Sequence, residues 1–189
     1  MYNQNNFSKN HCMSHEQVNL LNTFQRLWYE HIIWTREFLI STAFDLRNLD
    51  AVTKRLLENP VDFAKAFTPL FGTQMAMTFQ ELLTEHLLTA AGFLNAVKAK
   101  DTKTAKEERE KWYANADDIA NFLQETNPYW RKNTWQSMFY SHLEMIELDF
   151  IQLLSGKYTD SINQYDAMQD EAIQMADYMA FGILKLLQI

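Results

Sequence analysis

The chain has 189 residues, 47% of them hydrophobic, and a formal charge of −7. That length suffices for one domain with a real core, the apolar share excludes disorder, and the acidic balance argues against a general nucleic-acid surface. With 4 Gly and 3 Pro the chain is too poor in turn residues for a β protein, so long helices are expected.

Residues 1–13 are polar and are read as an N-terminal tail, with 14–189 as a single domain. The one cysteine, Cys12, leaves no disulfide framework and fits a reducing compartment. No apolar run approaches a membrane span, and Met1 to Asn10 lacks a signal-peptide core, so the expectation is a cytoplasmic protein without a membrane partner.

Ser14 followed by Gln17 is a capping-box start, and the first helix is expected to run to about Leu46. At 100° per residue Phe24, Leu27, Trp28, His31, Thr35 and Phe38 share one side, with His31 near its centre. Asp50 is a candidate cap for a short helix. Asn59-Pro60 reads as another start, with Asn as cap and Pro at the first helical position. Thr68-Pro69 is expected to end that piece before Gly72. The next long helix, about Thr73 to Lys98, carries the stripe Phe79, Leu82, Leu83, His86, Ala90, Phe93 and Val97, with Glu85 on its flank. Asp101 caps a helix to about Thr126, whose seam is Trp112, Ala116, Ile119 and Leu123, with Asn115 near it and Asp118 at its edge. A helix from Asn133 or Thr134 to Gly156 puts Trp135, Met138, Phe139, Ile146 and Leu153 on one face with His142, and Asp149 returns to that face. The last helix, capped by Asp160 or Ser161, has Asp177 on the border of its stripe. No internal repeat stands out. The expectation is all-α: an up-and-down bundle of four to five long helices, with a short-helix crossover between the first and second.

His31, His86 and His142 each sit on an apolar stripe near the middle of a different helix. Helices of similar length packed side by side bring their midpoints to one height, so the three imidazoles are expected in one layer. A buried imidazole needs a partner. Three of them with a carboxylate suit Zn, Fe, Mn or Ni as a divalent ion. Glu85 and Asp177 are the candidate additional metal ligands, and Asn115 and Asp118 the candidate orienting groups around the ligands. The bland alternative is a non-catalytic structural or protein-interaction bundle whose core histidines are hydrogen-bonded to Asp177, Asn115 and Glu85. Neither Glu-x-x-His nor His-Glu-x-x-His is present, which favours one metal ion over two. The aromatic residues leave open a small-molecule ligand beside the site, and a homodimer is also left open. Arg36 and Arg55 could grip an anionic ligand, but an exposed salt bridge is the favoured role for both. The catalytic residues, if any, are unknown.

Several stretches also resemble an uncharacterised bacterial helical family. They are Leu27-Trp28-x-Glu-His31-x-x-Trp34-Thr35-Arg36, Arg55-Leu-Leu-x-Asn59-Pro60-x-Asp62, Glu85-His86-Leu, Trp112-Tyr-x-Asn115-Ala-Asp117, Asn127-Pro128-Tyr-Trp130, His142-Leu and Met175-Ala-Asp177. The resemblance spans about residues 25–189 and implies a helical bundle carrying His31, Glu85, His86, Asn115, Asp117, His142 and Asp177. Members of that family sometimes bear the label acetylglutamate kinase. That kinase fold is α/β with glycine-rich phosphate loops, and this chain has neither. More distantly the layout is similar to DinB-like and hemerythrin-like metal bundles, which implies metal binding but no particular activity.

Overall fold

The computed structural model describes residues 12–188, and those residues form seven α-helices with no β-strand among them. Most of the expected tail, including His11, lies outside the described residues. Five helices are long: α1 (His15–Ala43), α4 (Thr73–Ala99), α5 (Thr102–Thr126), α6 (Lys132–Leu154) and α7 (Tyr158–Leu187). Two short ones, α2 (Leu49–Leu56) and α3 (Asn59–Phe71), lie between α1 and α4.

The local signals set many of these boundaries. Ser14 and Gln17 exchange side-chain and backbone bonds in a capping box, and Asp101 accepts the Thr104 N–H. Gly72, at φ 83°, turns the chain sharply between α3 and α4. Several boundaries depart from the sequence reading: α1 stops at Ala43, Asn48 rather than Asp50 is the N-cap of α2, and α6 starts at Lys132, ahead of Asn133 and Thr134. Helix α3 continues through Pro69 to Phe71, which leaves the Lys65 carbonyl without its usual donor because proline has no N–H. Helix α7 starts at Tyr158, ahead of the expected caps Asp160 and Ser161. Glu58, not Asn59, occupies the N-cap of α3, and no side chain caps that helix.

The chain is built from three hairpins of one pattern. The first pairs α1 with α3 (by way of α2), the second α4 with α5, and the third α6 with α7. The second helix of each packs on the first helix of the next: α3 on α4, α5 on α6, and α7 back on α1, which closes the ring. The three first helices, α1, α4 and α6, also touch one another. The sequence carries this repeat weakly, at an interval of 55 or 56 residues. Around each histidine the buried positions correspond: Phe24, Phe79 and Trp135 seven residues before; Ile32, Leu87 and Leu143 just after; Leu39, Leu94 and Phe150 eight after. The partner helices match too, with Ala64, Ala120 and Ala176 at one buried position and Phe63, Ile119 and Met175 at another. The expectation of no repeat is therefore corrected. Composition hides the repeat, because only the buried third of each helix is held to a pattern and the identities there vary among apolar types.

The seven-residue position after the histidine is Phe38, Phe93 and then Asp149. Asp149 is fully buried and accepts from Arg36 of α1, and the Ser161 hydroxyl donates to it at 2.7 Å. Arg36 is buried as well, which corrects its reading as an exposed salt-bridge partner. The charge is satisfied because α7 begins early enough to place Ser161 beside the pair.

Candidate functional site: three anchored histidines around a small cavity

The repeat places His31 on α1, His86 on α4 and His142 on α6, all buried. These are the three helices that meet in the interior. The rings of His31 and His142 lie 5.6 Å apart, centre to centre. All three histidines line one small cavity of ≈ 20 Å³, together with Thr35, Trp112 and apolar side chains that include Leu56, Leu94 and Ile146. That volume holds about one water-sized body.

Each histidine is anchored through Nδ1 to a side chain on the second helix of its own hairpin. His31 Nδ1 meets Asn59 Oδ1 at 3.1 Å, His86 Nδ1 meets Asn115 Oδ1 at 2.9 Å, and His142 Nδ1 meets Glu171 Oε2 at 2.9 Å. The sequence separations are 28, 29 and 29 residues, the repeat again. An amide or carboxylate oxygen can only accept, so each Nδ1 carries the proton and donates. Each amide is held in turn. Asn59 Nδ2 donates to the Leu27 carbonyl at 3.0 Å, and Asn115 Nδ2 to the Leu82 carbonyl at 3.1 Å. With Nδ1 protonated, Nε2 is the ring's basic nitrogen in all three.

Burial, then the neighbouring His142, push His31 down to about 3 against a small opposing effect of Asn59. His86 is lowered to about 3 by burial first, then by His142 and His31. These two imidazoles are therefore neutral at physiological pH, the form in which histidine binds metals.

Two features bear on what the cavity holds. The Thr35 hydroxyl, one turn after His31 and lining the cavity, is buried with no hydrogen-bond partner. Trp112 Nε1–H donates to His86 Nε2 at 3.1 Å, so that lone pair is engaged. Among the described residues no group of three or more His, Cys, Asp or Glu stands ready to hold a metal ion.

The other expected residues lie elsewhere. Glu85 is exposed on the far side of α4. Asp177 accepts from Gln25 Nε2 at 2.7 Å, away from the histidines. Asp118 is exposed, and its neighbour Asp117 accepts from Gln136 and Tyr140. Neither Glu85 nor Asp177 can serve as a ligand where it stands, and Asp118 orients nothing. Adjacency in sequence misleads here, because one residue is a 100° turn around a helix. The residues that do anchor the rings and were missed are Asn59 and Glu171. Asn59 was masked by the strong local signal of Asn-Pro at a helix start. Both are recoverable from the spacing of 28 or 29 residues that Asn115 shares.

No family model, no curated protein and no solved structure matches the chain.

Proposed function

We propose that the chain is a divalent-metal-binding helical bundle in which Nε2 of His31, His86 and His142 hold one ion in the central cavity. The observation that carries this reading is the shared anchoring: three buried imidazoles, each with Nδ1–H donated to a fixed oxygen on the partner helix of its own hairpin. Metal-ligating histidines are oriented in this way, and the outer oxygen fixes tautomer and ring direction and raises ligand basicity. Glu171, the one anionic anchor, would raise it most. Three imidazole nitrogens with one position left open suit Zn, Fe, Mn or Ni. The orphaned Thr35 hydroxyl would meet a water or hydroxide in the open position. When bound, the ion would supply Lewis acidity and an acidified water. The chain's own part is to keep the rings fixed and dry. A cavity of ≈ 20 Å³ admits about one water-sized body, so holding an ion fits better than turnover of a bulky substrate.

The bond from Trp112 to His86 favours a second reading, in which the same polar network serves only to fix the register of three hairpins. Metal analysis of protein purified without an affinity tag separates the two. One divalent ion per chain is expected on the first reading, and no stoichiometric metal on the second. The single cysteine fits the proposal of a reducing, cytoplasmic setting.

A further inference from the structure

The first hairpin departs from the repeat, and the departure falls beside the central cavity. In the other two hairpins the anchoring side chains, Asn115 and Glu171, stand well inside unbroken helices, α5 and α7. Asn59 instead opens α3, and the stretch that would precede it is split off as α2. Pro60 accounts for the split. It has no N–H for the Leu56 carbonyl four residues back, so the helix breaks at Leu57 and Glu58. The split piece is lightly held. It buries only Val52 and Leu56 and packs chiefly on α1. There Arg55 Nη2 donates to Glu30 Oε2 at 3.1 Å, and the guanidinium lies over the Trp34 ring at 5.3 Å. By contrast α5 packs on both α4 and α6, and α7 on both α6 and α1.

Leu56, the last residue of α2, is also part of the cavity wall, and that wall is uneven. Phe38 of α1, Leu56 of α2, and Leu87 and Ala90 of α4 keep 6%, 5%, 8% and 9% of their surface exposed. Leu94, Trp112 and Ile146, which line the same cavity, keep 1%, 1% and 2%. The cavity therefore comes nearest to solvent where α1, α2 and α4 meet.

We propose that this junction is the entrance to the central cavity, and that Leu56 is its plug, carried on α2 as a short flap. The break before Pro60 is the point about which the flap turns. Arg55, held by Glu30 and Trp34, is the tie that keeps it down. An element with few buried contacts opens locally at a lower cost than unfolding the whole chain. Opening gives a solute its way to the three imidazoles. The inference goes beyond the metal reading and needs only the cavity. It is tested on chelator-treated protein, so failure of the metal reading leaves it standing.

The experiment uses diethyl pyrocarbonate. An unprotonated imidazole nitrogen takes one ethoxycarbonyl group from it, and carbon dioxide and ethanol are released, the ethanol carrying off the ring proton. The reagent is far larger than a cavity of ≈ 20 Å³, so it reaches the rings only when the cavity opens. His31 is the reporter, because the Trp112 N–H occupies His86 Nε2. The exposed His15 is the internal standard. Rates are read by peptide mass spectrometry on the full chain at increasing urea. The wild-type rate at His31 is expected to stay flat in low urea, since a short flap exposes little surface when it opens. Leu56→Ala should raise that rate about tenfold or more. Arg55→Gln, which cuts the tie and leaves the cavity wall intact, should raise it too. Ile146→Ala, which thins the opposite wall, should leave it unchanged. A wild-type rate that climbs with urea in step with global unfolding would overturn the proposal, as would an unchanged rate in both flap variants or an equal rise in Ile146→Ala.

Discussion

Acidification from pH 7.5 to 5.0 should cost this protein a large share of its stability, and most of that cost should come from His31 and His86. In the folded chain both are lowered to about 3, chiefly by burial. In the unfolded chain they return to the ordinary histidine value of about 6.5. Between those two values the unfolded state binds more protons, so stability falls as pH falls through that window. At pH 5.0 the unfolded state gains about RT ln(1 + 10^1.5), or about 2 kcal/mol, for each histidine. Two of them give about 4 kcal/mol, set against total stabilities of about 5–15 kcal/mol for domains in general. Carboxylates contribute mainly below pH 5, so the range chosen isolates the histidines. The assay is urea denaturation at half-unit steps of pH with a chelator present, for the wild type and for His86→Gln. The variant has one buried imidazole fewer, so its loss over the range should shrink to about half. A wild-type profile flat from pH 7.5 to 5.0, or one that His86→Gln leaves unchanged, would refute the assignment of these rings as buried and neutral.

Trp112→Phe should raise affinity for Zn²⁺ about five- to tenfold, measured by chelator competition, because the ion no longer displaces the N–H from His86 Nε2. An unchanged affinity would show that this bond does not compete with metal. Gly182→Ala should destabilise by about 1–3 kcal/mol in thermal or urea unfolding. An added Cβ would fall 2.0 Å from Trp130 Nε1, and that fully buried ring has no free space to move into. Asp149→Ala should cost about 3–5 kcal/mol, since Arg36 is then left buried without its counter-charge. Replacing both, as Arg36→Met with Asp149→Leu, should recover much of that loss. If the double variant is as unstable as the single one, the account of that pair is wrong.

The helices were legible because each long one shows a continuous 3.6-residue stripe. The three histidines were legible because each interrupts its stripe near the middle. Asn115 was found the same way, on the seam of α5. What periodicity within one helix cannot show is which polar group on another helix answers a buried one. Glu85 is near His86 in sequence and Asp177 matches the rings in height, yet Glu85 is exposed and Asp177 accepts from Gln25 instead. Asn59 and Glu171 were visible only through a relation across hairpins, the recurring interval from histidine to partner. That interval is diluted by the identities involved: Asn, Asn and Glu share no simple chemical class beyond an acceptor oxygen. Local signals also competed with it. Asn59 next to Pro60 satisfies the rules for a helix cap, yet its side chain is spent on His31 and the Leu27 carbonyl. Arg36 and Asp149 each stand out singly in the sequence, but the setting of their pair depends on α7 beginning at Tyr158, three residues ahead of Ser161.

The central claim is that the three Nε2 atoms form one binding site for a divalent ion. Competition against a chromophoric chelator for Zn²⁺, with wild type and His86→Ala side by side, tests it most directly. The account predicts one ion per wild-type chain and an affinity at least about a hundredfold weaker in His86→Ala, with His15→Ala, in the first turn of α1, unchanged. Equal affinity of wild type and His86→Ala would contradict it, and would leave the three histidines as hydrogen-bonded members of the core.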